Sequence, residues 1–134
     1  MRTLLSRKRV SYLQITNLNE IDNFIMEGFN YFKEHIGILD YKKFFKAWMR
    51  RFPRPILIFA ILRGLKVIGW ATSEELEDPD LKAASIFVLR GIEILKQYRR
   101  KKIGSIIVAL ISAITPGHLI TKPINKEADF FSKA

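Results

Sequence analysis

Residues Ile92–Ala113 read IEILKQYRRKKIGSIIVALISA. The stretch opens as an apolar run, turns basic at Gln97–Lys102, and resumes from Ile103 with a helical pattern. Ile103, Ile106, Ile107, Leu110, Ile111 and Ile114 fall on one face, with Ser105, Ala109, Ser112 and Ala113 on the other. The join is a strand-to-helix loop dense in positive charge, with Gly104 near the helix start. Unpaired N–H groups at a helix N-terminus attract anions, and nearby cations strengthen the attraction. The expectation is a site for a phosphorylated ligand.

Upstream, Ala84–Leu95 reads as the strand feeding this loop, and Gly91 within it marks an expected bulge. Ile56–Leu62 and Lys66–Ser73 are apolar runs separated by Arg63-Gly64-Leu65, a hairpin with Gly64 supplying positive φ. Glu74–Asp80 reads as an acidic loop. Val10–Thr16 reads as the first strand. Asn17 and Glu20 stand at capping-box spacing. Ile21, Phe24, Ile25, Phe29 and Phe32 then suggest one helix reaching Ile36 and ended by Gly37. Asp40 caps a second helix, whose Tyr41, Phe44, Phe45, Trp48, Met49 and Phe52 form an aromatic stripe. That stripe is read as facing the core, with a pocket lining as the alternative. Pro53 and Pro55 stop it. Pro116-Gly117 is a turn, His118–Thr121 a short strand, and Asn125–Lys133 a final helix. The order β-α-α-β-β-β-α-β-α predicts an α+β or mixed α/β fold around one central sheet.

The 134 residues suit a single domain spanning 1–134, and 49% hydrophobic with 27% charged residues argues against disorder. No cysteine is present, which excludes disulfides, thiolate ligands and a Cys nucleophile. Two histidines, His35 and His118, argue against a His-based metal site, so no metal is expected. The longest apolar runs, Pro55–Leu62 and Ile103–Ile114, are shorter than the roughly 20 residues of a spanning helix. The N-terminus lacks the apolar segment of a signal peptide. No membrane partner is expected, and the expected location is cytoplasmic. The net charge of +10 gathers in Arg2–Arg9, Lys42–Arg54 and Lys96–Lys102. Such a surface suits nucleic acid, an anionic membrane or an anionic cofactor. The aromatics of Tyr41–Phe52 segregate from the basic face instead of interleaving with it, which argues against nucleic acid.

Three segments, in order, resemble the GNAT superfamily of acyl-CoA-dependent N-acetyltransferases. Gly64–Ala71 looks like the family's hairpin strand with its Gly-aromatic pair. Ile94–Ser105 looks like its acyl-CoA motif, Gln/Arg-x-x-Gly-x-Gly/Ala after an apolar strand end. Asn125–Lys133 looks like its Asn-x-x-Ala-x-x-Phe-Tyr helix. The resemblance implies a mostly antiparallel central sheet flanked by helices, with acetyl-CoA as cosubstrate. The pyrophosphate would lie on the backbone of Arg99, Arg100, Lys101, Lys102, Ile103, Gly104 and Ser105. The pantetheine arm would lie on Ile94, Leu95 and Lys96, with Asn125 holding it from the other strand.

Three departures accompany the match. Lys102 stands where the family has its first Gly, a substitution that costs energy only if positive φ is needed there. Ser132, or Phe131 in the other alignment, replaces the Tyr that protonates the departing thiolate. The chain ends at Ala134, before the Gly-Phe and last two strands of the family pattern, implying a C-terminally truncated sheet. The resulting edge is expected to be paired by another subunit or covered by the N-terminal strand, and homo-oligomerisation is expected. Two readings follow. One is direct acetyl transfer to an amine of a small molecule or protein, with Glu93 as base and the Leu95 N–H as oxyanion donor. There, Glu93 facing solvent is the bland alternative. The other is a non-catalytic acyl-CoA-binding or assembly protein.

Overall fold

The computed structural model describes residues 1–37, 40–51, 54–76, 86–116 and 118–120. Six strands form one sheet in sequence order: β1 (Arg2–Arg7), β2 (Val10–Ile15), β3 (Leu57–Arg63), β4 (Lys66–Leu76), β5 (Ile86–Ile94) and β6 (His118–Ile120). The first four pairings are antiparallel and β5–β6 is parallel. A parallel neighbour requires a crossover, and helix α3 (Ile103–Ile114) supplies it. Helices α1 (Tyr31–Ile36) and α2 (Tyr41–Met49) precede β3. β3 and β4 are buried along nearly their whole length, the mark of strands covered on both faces.

The hairpin and α2 form as their residues predict. Gly64 has φ +64 between paired Arg63 and Lys66. The Asp40 side chain accepts from the Lys43 N–H at 3.0 Å. Tyr41 and Phe45 are buried, and Phe44, Trp48 and Met49 pack partly buried against the core, so the stripe faces inward. Phe45 and Tyr41 reach Trp70 of β4, with ring centroids 5.4 and 6.3 Å away. Phe52 and the Asn125 helix lie outside the described residues.

One long helix from Asn17 to Ile36 does not form. The capping box does: the Asn17 side chain accepts from Asn19 N–H and Glu20 from Asn17 N–H, opening a 3₁₀ helix over Leu18–Asn23. The chain turns extended at Phe24 and joins the sheet. The Ile25 N–H donates to Leu65 O and the Val67 N–H to Ile25 O, both at 2.8 Å. Ile25 is therefore 49% exposed, where a helix would have buried it, while Phe24 and Phe29 still reach the core. Gly28, at φ +86, completes the break.

A strand that was not expected precedes Val10. Residues 2–7 pair with β2 through a two-residue turn at Lys8-Arg9, whose φ values are +52 and +65. This strand forms the edge opposite β6, so the first expected strand, β2, does not cover the C-terminal edge. The small side of α3 at Ser105, Ala109, Ser112 and Ala113 is exposed.

Glu74 and Glu75 belong to β4 and not to an acidic loop. The Glu74 carboxylate is 12% exposed and paired with Arg51, at the end of α2, and with Arg90 of β5 at 2.6 Å. Burial raises its pKa, but the hydrogen bonds and charges of the two arginines outweigh this and hold it below the usual range. A lowered folded pKa means stability fully present above the unfolded value of about 4.3 and lost as pH falls through the folded value. Denaturant midpoints should therefore fall below about pH 4, and Glu74→Gln should flatten that fall.

Candidate functional site

β5 ends beside β4, with the Leu95 N–H donating to Ile68 O at 2.9 Å. Backbone groups of successive strand residues point to opposite edges. The Ile94 N–H and C=O therefore point away from β4, towards the β6 side. Among the described residues, β6 pairs with Ile86, Phe87 and Val88, well short of Ile94. The Leu95 N–H, expected as oxyanion donor, is thus paired within the sheet, and the Ile94 N–H faces outward.

After Leu95 comes a 3₁₀ turn, Lys96–Tyr98, and then the basic loop. Arg99 is extended, Arg100 has φ +65, and Lys102 has φ +63 and ψ 11. Lys102 is the N-cap of α3, and no side chain caps it. The first intrahelical bond is from Ile106 N–H to Lys102 O at 2.9 Å, so the N–H groups of Ile103, Gly104 and Ser105 have no partner in the helix. No acidic residue occupies the first turn. Arg99, Arg100, Lys101 and Lys102 are exposed around it, and the Lys101 Nζ sits 5.7 Å from the Tyr98 ring centroid. The Arg99 Nε–H reaches back to Ile94 O at 2.8 Å, tying the loop to the strand end. The arrangement brings donors and cations together at one helix terminus, the chemistry an anionic group requires.

Lys102 thus holds a left-handed conformation, which costs a side-chain-bearing residue about 1–2 kcal/mol. Lys102→Gly is expected to relieve that cost, offset in part by the greater unfolded-state freedom of Gly. A net gain of up to about 1 kcal/mol in chemical denaturation is the expected result.

Glu93 does not face solvent. It is 5% exposed. Its Oε2 accepts from the N–H groups of Asn30 (2.8 Å) and Tyr31 (3.2 Å), and its Oε1 from the Trp70 indole at 3.1 Å. Burial first, and then the nearby Glu93 charge, raise the Tyr31 pKa, so its phenol stays protonated at neutral pH. Gly28 lies against the Leu95 side chain; a Cβ there would stand 3.1 Å from Leu95 Cδ2. The sequence did not single out Gly28, Asn30, Tyr31 or Trp70 as site residues. The available signal was Gly28 interrupting a helical pattern. Among the described residues, no three His, Asp or Glu gather as a metal site, and no helix is long and apolar enough to cross a membrane.

No family model and no curated protein matches the chain. Solved structures do. A ribosomal-protein-alanine N-acetyltransferase from Brucella melitensis biovar Abortus 2308 superposes with a TM-score of 0.69 at 11% identity, covering 92% of this chain and 88% of that one. The aminoglycoside acetyltransferase meta-AAC0020, from an uncultured soil metagenomic sample and in complex with sisomicin, gives 0.67 at 13% identity, covering 90% and 81%. AAC(6')-Iy, in complex with the bisubstrate analog CoA-S-monomethyl-acetylneamine, gives 0.59 at 13% identity, covering 92% and 87%. The chain has the GNAT fold. Its neighbours in that fold are N-acetyltransferases, one of them bound to a CoA-derived analog. In the GNAT frame, β5 and α3 are the elements that the acyl-CoA motif was expected to join.

Proposed function

We propose that the protein is an N-acetyltransferase that moves an acetyl group from acetyl-CoA directly to an amine. The observation that carries this reading is the N-terminus of α3, with three N–H groups that have no partner in the helix and four surrounding cations, on a GNAT fold. The pyrophosphate rests on the backbone of Arg99–Ser105, and Gly104 leaves the approach open. The pantetheine arm runs along Ile94, Leu95 and Lys96. The Ile94 N–H donates to the oxyanion as the amine adds to the thioester carbonyl. Collapse of the tetrahedral adduct breaks the C–S bond and expels the thiolate, and the proton lost from the attacking nitrogen passes through solvent to the sulfur, giving the amide and free CoA thiol. Asn125 completes the arm's contacts by family resemblance. Glu93 is not assigned as base, because both of its oxygens already accept hydrogen bonds.

The test begins with calorimetric titration of acetyl-CoA and continues with thiol release over a panel of amines. Binding, a raised melting temperature and amine-dependent thiol release are expected. Only the neutral amine attacks, so kcat/KM should rise about tenfold per pH unit below the amine's pKa. Binding without release from any amine favours the second reading, a non-catalytic acyl-CoA-binding protein. The commitment of Glu93 and the Leu95 N–H to the fold is the observation in its favour. No thermal shift with either CoA or acetyl-CoA would overturn both.

A further inference from the structure

Segment 24–31 crosses the sheet at the end where β4 begins and β5 finishes, and it is fastened there at three points. Ile25 exchanges hydrogen bonds with Leu65 and Val67. Gly28, in a left-handed conformation, lies on the Leu95 side chain. Asn30 and Tyr31 both donate to Glu93 Oε2. The third fastening is the unusual one. α1 begins at Tyr31, and the N–H groups of Asn30 and Tyr31 at its start meet a carboxylate from the end of β5, distant in sequence. That carboxylate is buried and is itself steered by the Trp70 indole. Burying a charge is costly unless every lone pair it presents is used, and here three donors converge on it.

We propose that Glu93 is a positioning residue for acyl transfer: its carboxylate fixes the 24–31 segment as a wall beside the Ile94–Leu95 strand end. This inference rests on the acetyltransferase reading, but its physical part is separable from turnover. The segment touches the strand end at Leu95 and Glu93; if the acceptor amine reaches the thioester past this strand end, the precision of its approach depends on a group that touches neither substrate. A base in the same place would act on the proton. Glu93 acts on geometry, and the two roles give different signatures.

The test uses the full chain as wild type, Glu93→Gln and Gly28→Ala. Gln keeps an oxygen for Asn30 and Tyr31 but loses the charge, and turns an amide N–H towards the Trp70 donor. Hydrogen exchange of Asn30 and Tyr31 should accelerate about tenfold in Glu93→Gln, with the amides of 103–114 unchanged. The acetyl-CoA Kd should stay within about twofold, because its loop is untouched. kcat/KM for the amine should fall about tenfold with the rise set by the amine's own ionisation retained, whereas loss of a general base costs about 10²–10⁴. Unchanged exchange at Asn30 and Tyr31, or a kcat/KM loss of about 10²–10⁴ with the segment still protected, overturns the proposal. If Glu93→Gln does not fold, Gly28→Ala decides the matter. It strains the segment from its other end and must reproduce both the exchange and the kinetic loss; failure to do so also overturns the proposal. If wild type releases no thiol with any amine, the exchange result still judges the fastening, and the transfer reading alone has failed.

Discussion

Replacing Trp70 with alanine is expected to lower the stability of the fold by about 3–5 kcal/mol. Trp70 is fully buried at the centre of the sheet. Tyr31, Tyr41 and Phe45 pack around its ring at centroid distances of 6.1, 6.3 and 5.4 Å. Truncation therefore opens a cavity lined by both helices, and it removes the donor to Glu93 Oε1. The other side of the ring lies on Gly91. A Cβ on Gly91 would stand 2.9 Å from two ring carbons of Trp70. The bulge expected near Gly91 is present, since Thr72 pairs with Gly91 while Ser73 pairs with Leu89, leaving Arg90 as the extra residue. Gly91→Ala alone should cost about 1–3 kcal/mol by overpacking, but nearly nothing in a Trp70→Ala background. A double-mutant cycle read by urea denaturation measures that coupling. Additive losses would show that the ring and Gly91 are not in contact.

Ile107→Ala is the second large effect, about 2–5 kcal/mol. Ile107 is fully buried between Ile103 and Ile111 on the inward face of α3. This helix carries N–H groups of the candidate site that have no partner within it, and exposed cations precede it. Its placement rests on the apolar face. The loss should appear in denaturant midpoints without ligand. Saturating acetyl-CoA should restore part of it, at about 2.7 kcal/mol when the ligand is a hundredfold above its Kd. A loss below about 1 kcal/mol would mean that the helix is held by something other than this face.

Most of the elements were legible because each has a short-range cause. The β3–β4 hairpin follows from Gly64 between two apolar runs, α2 from Asp40 and a one-sided stripe, and α3 from isoleucines at helical spacing. The gathering of cations at the start of α3 was legible for the same reason, since charge and a helix start are adjacent in sequence. Lys8-Arg9 was missed as a turn. Two consecutive left-handed residues usually announce themselves as Asn-Gly, and here the pairing of β1 with β2 imposes the conformation on side chains that disfavour it.

The amino-acid sequence by itself determined the elements from α2 to β6 in their order, the charge of the loop and the resemblance that named the GNAT fold, since these depend on neighbours along the chain. The tertiary structure alone decided that Phe24–Asn30 leaves the helix, because the open edge of Lys66 offers Ile25 two hydrogen bonds that no local pattern encodes. It alone decided the directions of two backbone and side-chain groups. The Leu95 N–H points into the sheet because strand pairing fixes its side. The Glu93 carboxylate points inward because donors from residues 63 and 62 positions earlier, and from Trp70, meet it there. The basic loop of Ile92–Ala113 is therefore readable from its own residues, while the strand end that feeds it takes its role from the groups packed around it.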